Sequence, residues 1–256
     1  MVSKNVLSFI RSLHQKKCRI EHKLFLVEGE KMVNELMASD FIIHSLFADD
    51  NWEPASLSRE SEKLLQTVNA KELAQISTLQ TPNKVLAVVH QPEIVFDGNL
   101  NNKHYLLLDD ISDPGNVGTI IRIADWFGIN EIFYSPQSVE PFNPKVVQST
   151  MGSIFRIKIH EVDTVQLLDL NKQTAQLPVI AAVLSGKNVF EQQLPVTGIL
   201  VIGNESRGIN SKLESYFTHP VCIPSFSLSA QSAESLNVAV ATGILCSEIK
   251  RQQMFK

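Results

Sequence analysis

The sequence predicts two α/β domains, the second built on a parallel sheet with helices on both faces. Three observations carry that prediction. Apolar residues make up 44% of the 256 positions, enough for one or two proper cores. From Tyr105 onward, strand-like apolar runs alternate with helical periods, the pattern of a parallel sheet. The stretch Gln91–His104, QPEIVFDGNLNNKH, concentrates Pro, Asp, Gly and Asn as linkers do. The expected division is a first domain over 1–92, a linker over 93–104 and a second domain over 105–256.

In the first domain, apolar residues at 6, 9, 10 and 13 have a helical period with a basic outer face. His22–Val27 reads as a strand, Gly29 opens a helix over Glu30–Met37, and Phe41–Phe47 is a second strand. After the polar stretch Asp49–Lys63 come a short strand near Thr67-Val68, a helix over Lys71–Ile76 and a buried strand over Lys84–His90. The second domain offers strands at 105–109, 131–134, 155–159, 179–183, 199–202 and 221–223. Helical patterns fall at 118–127, 143–150, 163–170 and 209–216, and a long helix runs from about 234 to 251.

Composition excludes several classes. No low-complexity tract is present, and the 11 Pro and 11 Gly are scattered. No apolar stretch reaches the roughly 18 residues that span a bilayer, and the N-terminus lacks a signal-peptide core, so a cytoplasmic protein is expected. Cys18, Cys222 and Cys246 are widely spaced, with no CxxC pair, and read as reduced structural thiols with no metal. The net charge of −4 argues against indiscriminate coating of nucleic acid. Residues 1–23 differ, with Lys4, Arg11, Lys16, Lys17, Arg19 and Lys23 against Glu21 alone, a local +5 suited to phosphates. A solvated helix face is the plain alternative.

Ligands of parallel sheets sit at the carboxyl ends of strands, which singles out three loops. The first, after Asp109, reads SDPGNVGTIIRIADWFG over 112–128. Asn116 is placed to cap the helix and Gly118 to let backbone approach a ligand. On a helical wheel Ile120, Ile123, Ala124 and Phe127 form the buried stripe, leaving Arg122, Asp125 and Trp126 on another face. Arg122 reads either as a functional cation or as half of an ordinary i,i+3 pair with Asp125.

The second loop, Gly203-Asn204-Glu205-Ser206-Arg207-Gly208, lacks the Lys-Ser/Thr of a triphosphate loop and the GxGxxG of a dinucleotide fold. Its glutamate suits a neutral or cationic ligand, although a glycine turn with a helix-start glutamate is an equal alternative. The third region runs from Ile223-Pro224 through 225–233 to Ser235-Leu236-Asn237-Val238 and then into a helix of small apolar residues. Ser232 or Ser235 is a candidate N-cap there.

Taken in order, Asn116-x-Gly118-x-x-x-Arg122, Gly203-x-Glu205-x-x-Gly208 and Ile223-Pro224 with Ser235-Leu236-Asn237-Val238 resemble the three motifs of the SpoU (TrmH) family. These are S-adenosylmethionine-dependent RNA ribose 2′-O-methyltransferases of the SPOUT superfamily. The stretch 143–152, NPKVVQSTMG, is similar to the family's helix between motifs. Phe25–Glu30 resembles the substrate-binding domain of many members, an α/β fold like that of some RNA-binding ribosomal proteins.

The resemblance implies a deep trefoil knot at the C-terminal end of the second domain, a rare exception to unknotted topology, and a homodimer whose sites draw on both chains. It implies S-adenosyl-L-methionine held near Gly203, Ile223 and Leu236, and a site formed by Arg122, Asn116, Glu205, Ser235 and Asn237. It also implies RNA as the partner, and the +5 charge of residues 1–23 suggests Lys16, Lys17, Arg19 and Lys23 as contacts to a structured RNA. Ribosomal RNA is the favoured class and tRNA the next, with a non-catalytic ribosome-assembly factor as the rival. Family members are described with the arginine as base. A guanidinium is a poor proton acceptor at neutral pH, so orienting phosphate or ribose and stabilising an alkoxide suits Arg122 better. The loop 225–233 departs from the family pattern in being longer and free of glycine, so that loop's cofactor contacts are not carried over.

Overall fold

A computed structural model describes residues 2–54, 57–227 and 234–254. The chain forms two compact units, one of Met1–Glu93 with Glu140–Arg156, the other of Ile94–Val139 with Ile157–Lys256.

The first unit opens with α1 (Lys4–Ser12), whose first turn is capped by the Ser3 side chain and which buries Leu7 and Ile10. A second helix, α2 (Lys16–His22), was not anticipated, because its only buried residue is Arg19 and no apolar period marks it. Lys23 ends it in the left-handed region at φ 51°. Next come β1 (Leu24–Glu28), α3 (Glu30–Met37), β2 (Ile43–Ala48), α4 (Arg59–Leu64), β3 (Leu65–Thr67), α5 (Ala70–Ile76) and β4 (Val85–His90). The sheet order is β1-β4-β2-β3, with β4 antiparallel to both neighbours. Helix α4 begins within the polar stretch Asp49–Lys63, where no element was expected, and ends at Leu64. It buries nothing, and rests on the Ser58 cap and the first-turn acids Glu60 and Glu62. A capping box between Asn69 and Glu72 starts α5.

Glu140–Arg156 completes this unit. It contains α7 (Pro144–Thr150), whose start is capped by Asn143. Phe142 lies 4.7 Å from the Phe25 ring and Phe155 meets Phe41 edge-on at 5.2 Å. The apolar run at 155–159 was expected to be one strand. Met151 at φ 51° and Gly152 at φ 100° turn the chain into a 3₁₀ segment, Ser153–Phe155, and the strand begins at Lys158.

Burial also corrects one expected RNA contact. Arg19 is only 1% exposed: its Nε donates to Glu140 at 2.8 Å, its Nη2 also meets that carboxylate, and Nη1 donates to the carbonyls of Leu13 and His14. A guanidinium so engaged has no donor facing solvent for phosphate. Lys16, Lys17 and Lys23 are exposed, Lys23 beside Glu93 at 2.7 Å.

The second unit is a six-stranded sheet in the order β10-β8-β9-β5-β6-β7, every neighbouring pair parallel. Its strands are β5 (His104–Asp109), β6 (Glu131–Tyr134), β7 (Lys158–Glu161), β8 (Val179–Asn188), β9 (Gly198–Gly203) and β10 (His219–Cys222). Helices α6 (Pro114–Trp126), α8 (Thr164–Gln173) and α9 (Val238–Met254) accompany it, and the expected helix near 209–216 is a 3₁₀ segment, Ser211–Tyr216. Residues 94–103 have no regular secondary structure, yet Phe96 and Leu100 pack on the core around Tyr105, Phe133 and Leu168.

Strand β8 runs to Asn188, past its expected end at 183. Its pairing with β10 jumps from Pro220↔Ala181 to Val221↔Lys187, so residues 182–186 bow out between the strands. A side chain at Gly186 would collide with the Val221 backbone, so glycine permits this close crossing. Among the described residues, no helix is long and apolar enough to cross a membrane.

Candidate active site

Strands β5 and β9 are in register with Asp109 opposite Gly203, so the loops after them leave the sheet side by side. The connection after β5 leads to β6 on one side and that after β9 to β10, beyond β8, on the other, the position where open α/β sheets bind ligands.

The first loop turns at Asp110, which holds φ 61°. Asp113, not Asn116, caps α6: its carboxylate accepts from the Asn116 N–H at 2.8 Å, and Pro114 begins the helix. The helix therefore starts four residues before the expected 118, and the Asn116 side chain is released for other bonds. The buried set of α6 is Val117, Gly118, Ile120, Ile121 and Ala124. Ile123 and Phe127, expected in the buried stripe, are half-buried, and Ile123 reaches toward Gly243 of α9. Helix α6 packs on both β6 and α9, which covers a broader face than one stripe. Arg122 and Trp126 remain exposed.

In the second loop, Asn204 and Gly208 exchange backbone hydrogen bonds at 2.9 and 3.0 Å, closing a tight turn. The Asn204 Oδ1 accepts from the Ser206 and Arg207 N–H groups, while its Nδ2 donates to the Asp110 carbonyl at 2.8 Å. Arg207 pairs with the Asp110 carboxylate. Any Cβ on Gly203 would strike the Gly208–Ile209 backbone. Buried Asp109 accepts from the Asn210 N–H at 2.7 Å; burial pushes its carboxyl above the usual range, and this hydrogen bond opposes the shift.

The third region corrects the expected helix start. Helix α9 begins at Val238, and Asn237 caps it, accepting from the Ala239 and Val240 N–H groups at 3.0 and 3.2 Å. Ser235 is exposed in the turn before it. Ser232, with the rest of 228–233 from the loop 225–233, lies outside the described residues.

Asn116 joins the three regions. Its Nδ2 donates to Glu205 Oε1 at 2.8 Å, and its Oδ1 accepts from Asn237 Nδ2 at 2.9 Å. Both ends of the Asn116 amide, and the Nδ2 and Oδ1 of Asn237, are thereby used in fixed orientation.

Gly203, Glu205, Ile223, Ser235 and Leu236 line one cleft of about 720 Å³, with the bowed-out 182–185 of β8, Ile209, Val238, Ala241 and Leu245. Arg122, Asn116 and Asn237 are not among the residues lining it. Sequence reasoning missed Asn204, whose place after a strand-end glycine was a usable Asx-turn signal. It also missed 182–185 as cleft wall, although the expected strand end at 183 and the Ser185-Gly186 pair mark a departure from the sheet there. Among the described residues, no group of three or more His, Cys, Asp or Glu is placed to hold a metal ion.

Comparison with known proteins agrees with this architecture. Residues 103–247 match the model of the SpoU rRNA Methylase family. The chain belongs to the SpoU rRNA methylase family. Residues 4–87 of this SpoU member match the MRM3-like substrate binding domain. It is 30% identical over 236 residues to the 23S rRNA (guanosine(2553)-2′-O)-methyltransferase RlmP of Bacillus subtilis, covering 92% of each chain. Among solved structures, one from Porphyromonas gingivalis assigned to the TrmH family of RNA methyltransferases superposes with a TM-score of 0.86 at 36% identity, covering 98% of this chain and 99% of that one. The AdoMet-bound rRNA methyltransferase from Sinorhizobium meliloti gives 0.83 at 28% identity over 98% and 97%.

Proposed function

We propose that this SpoU methylase transfers a methyl group from S-adenosyl-L-methionine to a ribose 2′-hydroxyl of ribosomal RNA, with Asn116, Arg122, Glu205, Ser235 and Asn237 forming the site. The observation that carries the reading is the Glu205–Asn116–Asn237 chain of hydrogen bonds, which ties together the loops after β5 and β9 and the start of α9. Two of the relatives named above are described as a 23S rRNA and an rRNA methyltransferase, which favours ribosomal RNA as the substrate class.

The cleft fits the cofactor. At about 720 Å³ it has the size of a nucleoside-bearing ligand's pocket. Its wall combines apolar Ile202, Leu236, Val238 and Leu245 with Gly203, Ile223 and the acidic residue Glu205, a set suited to adenosine and a cationic methionyl group. When bound, the cofactor supplies an electrophilic sulfonium methyl.

The protein's task is to present a 2′-hydroxyl, a weak nucleophile until its proton departs or its growing charge is met. Arg122, exposed on α6, faces ribose and phosphate, orients them and stabilises the forming alkoxide. The proton leaves the 2′-oxygen for an RNA phosphate oxygen or water. Asn116 fixes Glu205 and Asn237 in place, and Ser235 adds a hydroxyl at the cleft wall.

The reading includes a homodimer and a deep trefoil knot. Trp126 on α6 is 85% exposed and Val240 on α9 is 51% exposed, apolar surface on two helices that pack together, which supports a partner there. The close crossing of Gly186 and Val221 supports the knot. Residues 1–92 serve as the RNA-binding domain, with Lys16, Lys17 and Lys23 meeting phosphates, and the three free cysteines support a reducing, cytoplasmic setting. The test is mapping of 2′-O-methyl sites in ribosomal and transfer RNA from cells with and without the gene. Loss of one ribosomal site is expected; unchanged ribosomal RNA overturns the reading.

A further inference from the structure

We propose that Arg207 anchors the methionyl carboxylate of S-adenosyl-L-methionine at the cleft, exchanging its pair with Asp110 for one with the ligand. The proposal rests on the methyltransferase reading and names the residue that recognises the amino-acid end of the cofactor.

Charge in the cleft wall is confined to Glu205, Arg207 and Glu234, and the other lining residues are uncharged. The cofactor carries the reverse set, since its sulfonium and amino groups are cations and its carboxylate is an anion. Adenine and ribose are neutral and make no use of a cation. Arg207 is therefore the wall residue whose charge the carboxylate can meet. A phosphate of the RNA is the competing anion, and the acids of the same wall decide between the two. An amino-acid end, with ammonium beside carboxylate, suits acids beside an arginine, whereas those acids repel a polyanion.

The turn after β9 is built to present this side chain. Asn204 and Gly208 close it through their backbones, and the Asn204 Oδ1 accepts from the Arg207 N–H at 3.0 Å. The backbone beneath the arginine is thus fixed, while its side chain is 74% exposed. Its Nη2 meets the Asp110 carboxylate, so the guanidinium already holds the class of group that the cofactor would bring. Asp110 is not among the residues lining the cleft, and the resting pair therefore ties the guanidinium to a group outside the wall. A pair this open to water contributes little, and exchanging one carboxylate for another conserves charge and hydrogen-bonding geometry. The planar fork of donors on arginine matches a carboxylate through two parallel bonds.

The test is calorimetric titration of the full chain with S-adenosylmethionine and with decarboxylated S-adenosylmethionine, which keeps the nucleoside, sulfonium and amine but lacks the carboxylate. The wild-type chain is expected to bind S-adenosylmethionine roughly ten-fold or more tightly than the decarboxylated ligand, from one charge-assisted contact. Arg207→Gln should lose most of that preference by weakening S-adenosylmethionine alone, and its melting temperature should not move, because the side chain is exposed. Arg207→Lys keeps the charge without the fork and should recover part of the preference. Unchanged affinity for S-adenosylmethionine in Arg207→Gln, or an equal loss for both ligands, overturns the proposal while wild-type binding still supports the enzyme reading. A KM for ribosomal RNA that rises in Arg207→Gln with the cofactor preference intact assigns the arginine to an RNA phosphate and overturns the proposal too. A wild-type chain that binds neither ligand sinks the methyltransferase reading itself, and the proposal with it.

Discussion

Asn237 donates its side-chain amide to the Asn116 oxygen at 2.9 Å while its own oxygen caps α9, so one residue both begins a helix and locks a loop 121 positions away. Asn116→Ala removes that acceptor and the donor to Glu205 together. A hydrogen bond to a charged group contributes about 1.5–3 kcal/mol. Methyl transfer by the variant, followed with labelled S-adenosylmethionine, is therefore expected to fall roughly ten- to a hundred-fold, whereas Asn116→Asp should keep one of the two contacts at most.

Arg122 separates chemistry from folding. Because it is exposed, Arg122→Ala should leave stability within about 0.5 kcal/mol of wild type. Loss of a group that stabilises developing charge should lower kcat roughly 10²–10³-fold. Arg122→Lys keeps the charge but not the planar fork and should recover only part of the rate. Full activity in the lysine variant would show that a point charge suffices; full activity in the alanine variant would remove Arg122 from the site.

Gly203→Ala sets a methyl group against the Gly208–Ile209 backbone. The turn must open to admit it, which displaces Glu205 and the cleft wall. Calorimetric titration with S-adenosylmethionine should show weakened binding, more severely than Gly128→Ala, where the added Cβ meets nothing within 4 Å, although Gly128 lies at a positive φ of 66°.

The buried pair Arg19–Glu140 predicts an asymmetry in urea unfolding. Glu140→Gln or Arg19→Met alone strands one charge and is expected to cost about 3–5 kcal/mol. Replacing both, as Arg19→Met with Glu140→Leu, should recover much of that loss, because no isolated charge remains. Equal destabilisation in the double variant would mean that the hydrogen bonds to the Leu13 and His14 carbonyls matter more than the pair.

His104 should shape acid stability. Burial first, and then nearby Lys250, lowers its pKa from 6.5 to about 4. Above 6.5 both states are neutral and stability is full. Between 6.5 and about 4 the unfolded chain takes up the proton and the folded one does not, so stability falls as pH drops through that window. In His104→Gln the decline of the unfolding free energy between pH 7 and 4 should be shallower.

Much of the architecture was legible because burial leaves periodic traces. Strand β5, buried at all six positions, and α3, opened by Gly29, stood where apolar runs and a glycine placed them. Helices α2 and α4 were not legible, since one buries an arginine and the other nothing. At the site, the motif residues were visible as types and spacings, but their bonding was not. Asn116 looked like the cap of α6, and only Pro114 and Asp113 acting together show that its amide is free to reach Glu205. Arg19 misled for a related reason: a cation among cations reads as surface until its partner, 121 residues away, is found beneath it.

The segment Glu140–Arg156 is written into the gene between β6 and β7 but folds with the first unit. Cutting this chain at residue 93 therefore would not yield an independent N-terminal module. It would strip Phe142 from Phe25, Phe155 from Phe41 and the carboxylate from Arg19. A chimera that exchanges the N-terminal part with that of a relative inherits a mismatched patch unless it also transplants 140–156. Evolution of a new RNA specificity in this chain is bound by the same linkage: changes near β1 must be matched by changes in a stretch more than a hundred codons downstream.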